Sequence, residues 1–95
     1  MKLIPTKEFN KTVSKITDEF AKKRLDELTL KLEAAKSLSE ISNVIPLKRM
    51  PGLFRIKTGD FRLLVKQIKN GEIIILLVDY RRRNEKTYRN IIRYK

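Results

Sequence analysis

Basic side chains alternate with apolar ones along two neighbouring segments of the sequence. Residues 53–58 read Leu-Phe-Arg-Ile-Lys-Thr, and residues 61–68 read Phe-Arg-Leu-Leu-Val-Lys-Gln-Ile. Alternation in a β-hairpin puts the four basic side chains on one face: Arg55, Lys57, Arg62 and Lys66. Like charges on adjacent strands cost stability, and a bound anion offsets that cost. The pattern therefore indicates a surface that binds phosphate groups.

Further arginines follow the next apolar run. Residues 79–83 read Asp-Tyr-Arg-Arg-Arg, which adds guanidinium groups to one end of the same surface, and Tyr88 comes six residues after Arg82. Arginine holds phosphate through paired hydrogen bonds, and aromatic rings stack on unpaired bases. RNA is the ligand that this combination favours. The alternatives are a core position for Tyr88 on a helix face and a solvated charge run at Arg81 to Arg83.

RNA carries its own nucleophile, the 2′-hydroxyl group, so such a surface can cut as well as bind. The protein has to orient that hydroxyl, accept its proton, stabilise the phosphoryl oxygens and protonate the leaving 5′ oxygen. The chain has no histidine. The proton acceptor would then be a carboxylate, or a lysine or tyrosine whose pKa neighbouring cations lower. Lys57, with Arg55 and Arg62 as neighbours, is one candidate, and Tyr88 near Arg82 is another.

The composition excludes several classes of protein. The 95 residues include no cysteine and no histidine, which excludes disulfide scaffolds, zinc fingers and Ser-His-Asp triads. The net charge of +12 divides into +2 over residues 1–47 and +10 over residues 48–95. A merely soluble basic surface is the alternative to a polyanionic partner. We expect no metal and no cofactor, because the few carboxylates of the second half form no visible metal cage.

Nothing in the sequence predicts a membrane segment or a second domain. The longest apolar run covers six residues, Ile73 to Val78, whereas a membrane span needs roughly twenty. The first five residues lack the apolar core and the cleavage site of a signal peptide. We therefore expect one cytoplasmic domain over residues 1–95.

Hydrophobic spacing predicts two amphipathic helices in the first half of the chain. They cover residues 6–16, capped by Pro5 and Thr6, and residues 18–37, or form one kinked helix because neither Gly nor Pro separates them. The two apolar stripes comprise Phe9, Val13, Ile16 and Phe20, and then Leu25, Leu28, Leu32 and Ala35. Both stripes indicate core packing.

Three strands in meander order are predicted for the second half. They cover residues 53–58, 61–68 and 73–78, with turns at Gly59-Asp60 and Asn70-Gly71. Residues 37–52 are expected to be a connection, residues 1–4 a possible edge strand, and residues 83–95 a short helix. The fold class is α+β, with two helices packed on one face of a curved antiparallel sheet.

The stretch from Leu47 to Leu64 resembles the RelE/ParE superfamily of bacterial toxins. The similarity continues through an Asn-Gly turn and an apolar strand to Tyr-Arg-Arg, and it spans the whole chain in length and element order. Its most specific parts are Phe-Arg-Ile-Lys, Gly-Asp-Phe-Arg and Tyr-Arg-Arg. The resemblance implies a RelE-like fold and a cytoplasmic toxin of a type II toxin–antitoxin system. A cognate antitoxin with an acidic segment would neutralise it by wrapping its basic surface, in a hetero-oligomer.

The RelE branch of that superfamily cleaves mRNA in the ribosomal A site without metal and leaves a cyclic phosphate. By position, Lys57 matches the proton acceptor and Arg62 the arginine that stabilises the phosphoryl charge. Arg82 matches the arginine near the leaving group, and Tyr88 matches the tyrosine that stacks on or deprotonates the reacting nucleotide. Many relatives carry a histidine where this chain has Tyr80. The remaining surface cations are expected to bind RNA: Arg55, Lys66, Arg81 and Arg83.

Two other functions compete with this interpretation. A ParE-like protein would inhibit DNA gyrase and cut nothing, and we would expect it to lack the combination of Lys57, Arg62 and Tyr88. An RNA-binding module without activity is the third possibility. The retained combination favours the nuclease.

Overall fold

The structure, a computed structural model, describes residues 1–83. The predicted C-terminal helix and Tyr88 lie outside the described residues. The elements in chain order are β1 (Lys2–Pro5), α1 (Lys7–Ser14), α2 (Glu19–Ala34), a short 3-10 helix (Leu38–Glu40), β2 (Val44–Pro46), β3 (Leu53–Thr58), β4 (Phe61–Asn70) and β5 (Glu72–Arg82).

The two predicted helices are separate, and each begins at its own capping residue. The Thr6 hydroxyl accepts a hydrogen bond from the Phe9 N–H at 3.2 Å and begins α1. The Asp18 carboxylate accepts from the N–H groups of Phe20 and Ala21 at 3.0 and 3.2 Å and begins α2. Because such a cap satisfies backbone donors that the helix cannot, it fixes where a helix starts. The kinked single helix is therefore not formed.

Five strands form one mixed sheet in the order β1-β5-β4-β3-β2. The predicted meander is confirmed as β3, β4 and β5, joined by the two expected hairpin turns. The edge strand at the N-terminus is also present, and it runs parallel to β5. β2, which pairs with β3 inside the predicted connection, was not expected from the sequence. Three residues ending in a proline are too few for alternation to be recognised.

The α+β prediction is confirmed, since both helices cover the same face of the sheet. The main core joins buried residues of the helices to those of β3, β4 and β5: Phe9, Leu25, Leu28 and Leu32 with Ile56, Leu63, Val65 and Ile75. The core position predicted for Phe20 is wrong. Phe20 is 75% exposed, because the cap at Asp18 starts a new helix and breaks the phase of the first stripe.

The face away from the helices carries a second, smaller apolar cluster. Leu53, Leu64 and Val78 are buried there, and Leu47 and Met50 of the loop between β2 and β3 pack against them. This cluster covers part of the sheet face on which the cations Arg55, Lys57, Arg62 and Lys66 were predicted to lie. We call the whole face that points away from α1 and α2 the open face.

A β-bulge in β5 sets which side chains reach each face of the sheet. Leu64 of β4 pairs with Asp79, whereas the next residue, Val65, pairs with Leu77. Val78 is therefore an extra residue on β5, and alternation changes phase there. As a result Tyr80 points into the main core, and Arg81 lies on the open face, opposite Arg62.

Tyr80 connects the sheet to α2. Its ring is fully buried and stacks on Phe61 with 4.8 Å between the ring centroids. The phenol donates a hydrogen bond to the backbone carbonyl of Ala21 at 2.8 Å. Burial raises the pKa of Tyr80 to about 12, because the charged phenolate would lose its hydration.

Replacing Tyr80→Phe should lower the free energy of unfolding by about 1–2 kcal/mol, because the buried Ala21 carbonyl loses its donor. The difference between wild type and variant should also depend on pH. The raised pKa means that the stabilisation is fully present below pH 10, the usual tyrosine value, and is lost as the pH rises towards about 12. Urea denaturation between pH 7 and 11.5 measures both effects. A difference that stays constant over this range would contradict the role given to Tyr80.

Candidate nucleic-acid interface

Three basic residues form a row across the open face. Lys57 of β3 lies opposite Arg62 of β4, and Arg62 lies opposite Arg81 of β5. Directly opposed residues in antiparallel strands have Cβ atoms about 5 Å apart. The row therefore concentrates three positive charges within the width of three strands, at the end of the sheet where β3 and β4 are joined. We call Lys57, Arg62 and Arg81 the basic row.

Arg62 is held by the hairpin turn that precedes it. Its Nη1 atom donates to the backbone carbonyls of Gly59 and Phe61 at 2.9 and 2.8 Å. Gly59 has a φ of +62°, and the Arg24 side chain packs where a Cβ atom on Gly59 would lie. Because guanidinium has five N–H donors, Arg62 can bind the turn through Nη1 and still offer its other donors to a phosphate group.

Arg81 is positioned by a buried carboxylate. Asp79 is only 2% exposed, and one of its oxygens accepts a hydrogen bond from the Tyr80 N–H at 2.9 Å. The other oxygen lies 2.9 Å from Nε of Arg81. The Arg81 side chain is 30% exposed, so part of it still reaches solvent. Asp79 was not predicted to belong to the site, because a single acidic residue at the end of an apolar run carries no recognisable signal.

The other predicted RNA-binding residues surround the basic row at different distances. Arg55 lies on the open face in the next row, which also contains Leu64 and Asp79. Lys66 is on the same face but lies between Leu53 and Leu76, beside the smaller apolar cluster. Arg83 directly follows β5, where its backbone N–H donates to the Asp60 carbonyl at 2.9 Å, and its side chain is exposed. The structure therefore brings Arg55 close to the row and separates Lys66 from it.

Arg82 does not share the open face, and that expectation is wrong. Its guanidinium lies over the ring of Phe61, 5.0 Å from the centroid, on the helix side of the sheet. An Asp18 oxygen is 3.6 Å from one of its nitrogens. The bulge at Val78 is the physical reason, because the change of phase exchanges the faces of Arg81 and Arg82.

Tyr80 is the residue that the resemblance aligns with a histidine. Its burial in the main core and its hydrogen bond to Ala21 keep it away from any ligand on the open face. Tyr80 therefore has a structural role in this chain.

Two features that would indicate other functions are not found in residues 1–83. No group of three acidic side chains there is arranged to hold a metal ion. No helix in this part of the chain has the length and apolar character needed to cross a membrane.

Comparison with known proteins identifies the fold. The chain is similar to one in the crystal structure of the RelB-RelE antitoxin-toxin complex from Methanococcus jannaschii, with a TM-score of 0.70, 19% identity and 96% of each chain covered. It is also similar to a chain of the toxin-antitoxin complex RelBE2 from Mycobacterium tuberculosis, with a TM-score of 0.60, 18% identity, and 86% of this chain and 96% of that chain covered. No protein-family model and no curated protein matches the sequence. The fold is RelE-like.

Replacing Asp79→Asn keeps the hydrogen bond from the Tyr80 N–H but removes the negative charge beside Arg81. We expect the free energy of unfolding to fall by about 1–2 kcal/mol, because Arg81 keeps partial access to water but loses a buried partner. Chemical denaturation of Asp79→Asn, Arg81→Gln and the double variant gives the coupling between the two side chains.

Asp60→Asn is the matched control, since it makes the same substitution at an exposed carboxylate in the turn between β3 and β4. Asp60→Asn should lower the free energy of unfolding by less than half as much as Asp79→Asn does. Additive effects of Asp79→Asn and Arg81→Gln would refute the role of Asp79 in holding Arg81.

Proposed function

We propose that this protein is the toxin of a type II toxin–antitoxin system and that it cuts mRNA in the ribosomal A site without a metal ion. The observation that carries the proposal is the basic row on the open face. Its three charges lie side by side, and one of them is oriented by a buried carboxylate. The RelE-like fold, which this chain shares with chains of two toxin–antitoxin complexes, supports the toxin class.

The reaction would use the 2′-hydroxyl group of the RNA as the nucleophile. Lys57 accepts the proton of that hydroxyl as the oxygen attacks the adjacent phosphorus. The new O2′–P bond forms while the P–O5′ bond breaks, which gives a cyclic phosphate and a 5′ oxygen that takes up a proton. Tyr88, by its position in the sequence, is proposed to stack on the reacting nucleotide or to assist its deprotonation.

Arg62 and Arg81 would stabilise the charge that develops on the phosphoryl oxygens. Fixed donors are more effective than mobile ones, because they need no reorganisation when the charge appears. Arg62 is fixed through Nη1 by two carbonyls, and Arg81 is fixed through Nε by Asp79. Arg82 cannot share this task in the conformation described here, so we assign to Arg81 the role that sequence position gave to Arg82.

The proposed partner in the resting cell is a cognate antitoxin with an acidic segment. A net charge of +12 on 95 residues favours a polyanionic partner, and an acidic peptide on the open face would compete with RNA for the basic row. Cytoplasmic localisation follows from a ribosomal target.

Incubation with ribosomes programmed with a defined mRNA should give cuts within the A-site codon, which primer extension locates. Lys57→Ala and Arg62→Ala should each lower the cleavage rate at least 100-fold, because a proton acceptor and an oxyanion donor typically contribute effects of about this size. Lys69→Ala removes an exposed lysine at the far end of β4 and should leave the rate within about twofold of wild type.

Intact mRNA after incubation with wild-type protein would overturn the nuclease proposal. Inhibition of DNA gyrase supercoiling under the same conditions would then favour the ParE-like function. Undiminished RNA binding without cleavage would favour an inactive RNA-binding module.

A further inference from the structure

A second basic surface lies on the helix side of the sheet, separate from the open face. A groove of about 760 Å³ runs between α1 and the ends of β4 and β5. One wall carries Lys7, Lys11 and Lys15, and the other carries Arg81 and Arg82. The groove also contains the carboxylates of Glu8 and Asp18, so its lining has an excess of positive charge. The proposed cleavage reaction uses none of the three lysines.

The three lysines follow the periodicity of α1. Lys7 and Lys11 are four residues apart, and Lys15 is the residue at which α1 ends. Residues at this spacing lie on one side of a helix, and the rise of 1.5 Å per residue separates neighbours by about 6 Å along the axis. Like charges at this spacing destabilise a helix. An anionic ligand that follows the helix axis would offset this repulsion.

Arg82 presents its charge from the opposite wall. Its side chain is 52% exposed, and the ion pair with Asp18 is long, with 3.6 Å between the charged atoms. The Phe61 ring beneath it holds the guanidinium in place through a cation–π contact. Arg81 is among the residues that line the groove, while its side chain pairs with Asp79 and belongs to the basic row on the open face. The groove and the row therefore meet at Arg81.

The lining favours a phosphodiester strand over an acidic peptide. Peptides that bind tightly usually anchor apolar side chains in a groove, but Phe61 and Tyr80 at the base of this one are already buried. Lysines in a line act as point charges and need no fixed partner geometry. Single-stranded nucleic acid is bound in this way, by a positive groove with exposed aromatic rings for the bases. Phe20, two residues beyond Asp18 in sequence, is a 75% exposed ring outside the groove lining.

We propose that the groove lined by Lys7, Lys11, Lys15 and Arg82 is a second binding site for single-stranded RNA. The groove contacts the phosphate backbone, and the bound strand continues to the basic row through Arg81. The inference rests on the part of the proposed function that concerns RNA binding, and it is independent of cleavage. The groove gives the protein a contact with RNA at nucleotides beyond the one that reacts.

The test uses a labelled 12-nucleotide 2′-O-methyl RNA, which lacks the nucleophile and cannot be cut. Fluorescence anisotropy at several salt concentrations measures its affinity for wild type and for the triple variant Lys7→Gln, Lys11→Gln and Lys15→Gln. We expect the affinity to fall at least tenfold at low salt. The slope of log K against log salt should decrease by about 2, since each lost phosphate contact on a single strand removes about 0.7.

The matched control replaces three exposed lysines that do not line the groove: Lys31→Gln, Lys36→Gln and Lys69→Gln. It makes the same change in net charge, so an equal loss of affinity in the control would overturn the proposal. Arg82→Gln changes the other wall and should lower the affinity without altering α1. Circular dichroism of each variant confirms that the loss does not come from unfolding.

Three further outcomes separate this proposal from its alternatives. If the groove variant loses affinity for a 12-residue oligoglutamate more strongly than for RNA, the groove is a peptide site and the proposal is wrong. If the wild type binds the RNA through the groove but leaves programmed mRNA intact, the groove proposal stands and the nuclease proposal fails. Failure of wild type to bind the RNA at all would overturn the groove proposal, whereas the nuclease proposal is decided by the test with programmed ribosomes.

Discussion

The extra residue at Val78 is the constraint on which the core and the candidate site both depend. Uninterrupted alternation along β5 would point Tyr80 and Arg82 towards the open face and bury Arg81 under the helices. The bulge reverses this arrangement. It gives α2 a hydrogen-bonded contact through Tyr80 and completes the basic row with Arg81. A single irregularity in one strand thus couples the attachment of a helix to the assembly of a charged surface.

The basic row is a compromise between stability and binding. Opposed like charges on neighbouring strands destabilise a sheet, and the open face could have carried polar residues without charge. The structure limits this cost locally. Backbone carbonyls hold Arg62, and Asp79 holds Arg81. These contacts orient the two guanidinium groups without neutralising both of them, which is the arrangement that electrostatic stabilisation of a phosphate requires.

Sequence patterns predicted the periodic parts of the fold and failed where one residue changed the phase. Both helices, the meander and the shared face of Arg55, Lys57 and Arg62 follow from repeats of 3.6 or 2 residues. Phe20 was misplaced because a cap began a new helix. Arg82 was misplaced because a bulge changed the alternation, and neither the bulge nor the role of Asp79 leaves a pattern in the sequence. β2 was not predicted, because three residues are too few to show an alternating pattern.

Charge repulsion in the free protein also links binding to folding. Any ligand that binds the folded chain and not the unfolded one stabilises the fold by an amount that grows with the logarithm of its concentration divided by its Kd. The basic row lies on the hairpin of β3 and β4 and on β5, the three strands that contribute most of the sheet to the main core. A polyanion bound there removes repulsion between strands that must remain paired for the core to persist. RNA and an acidic peptide would both do this, so each would stabilise the same strands even though only one of them can occupy the row at a time.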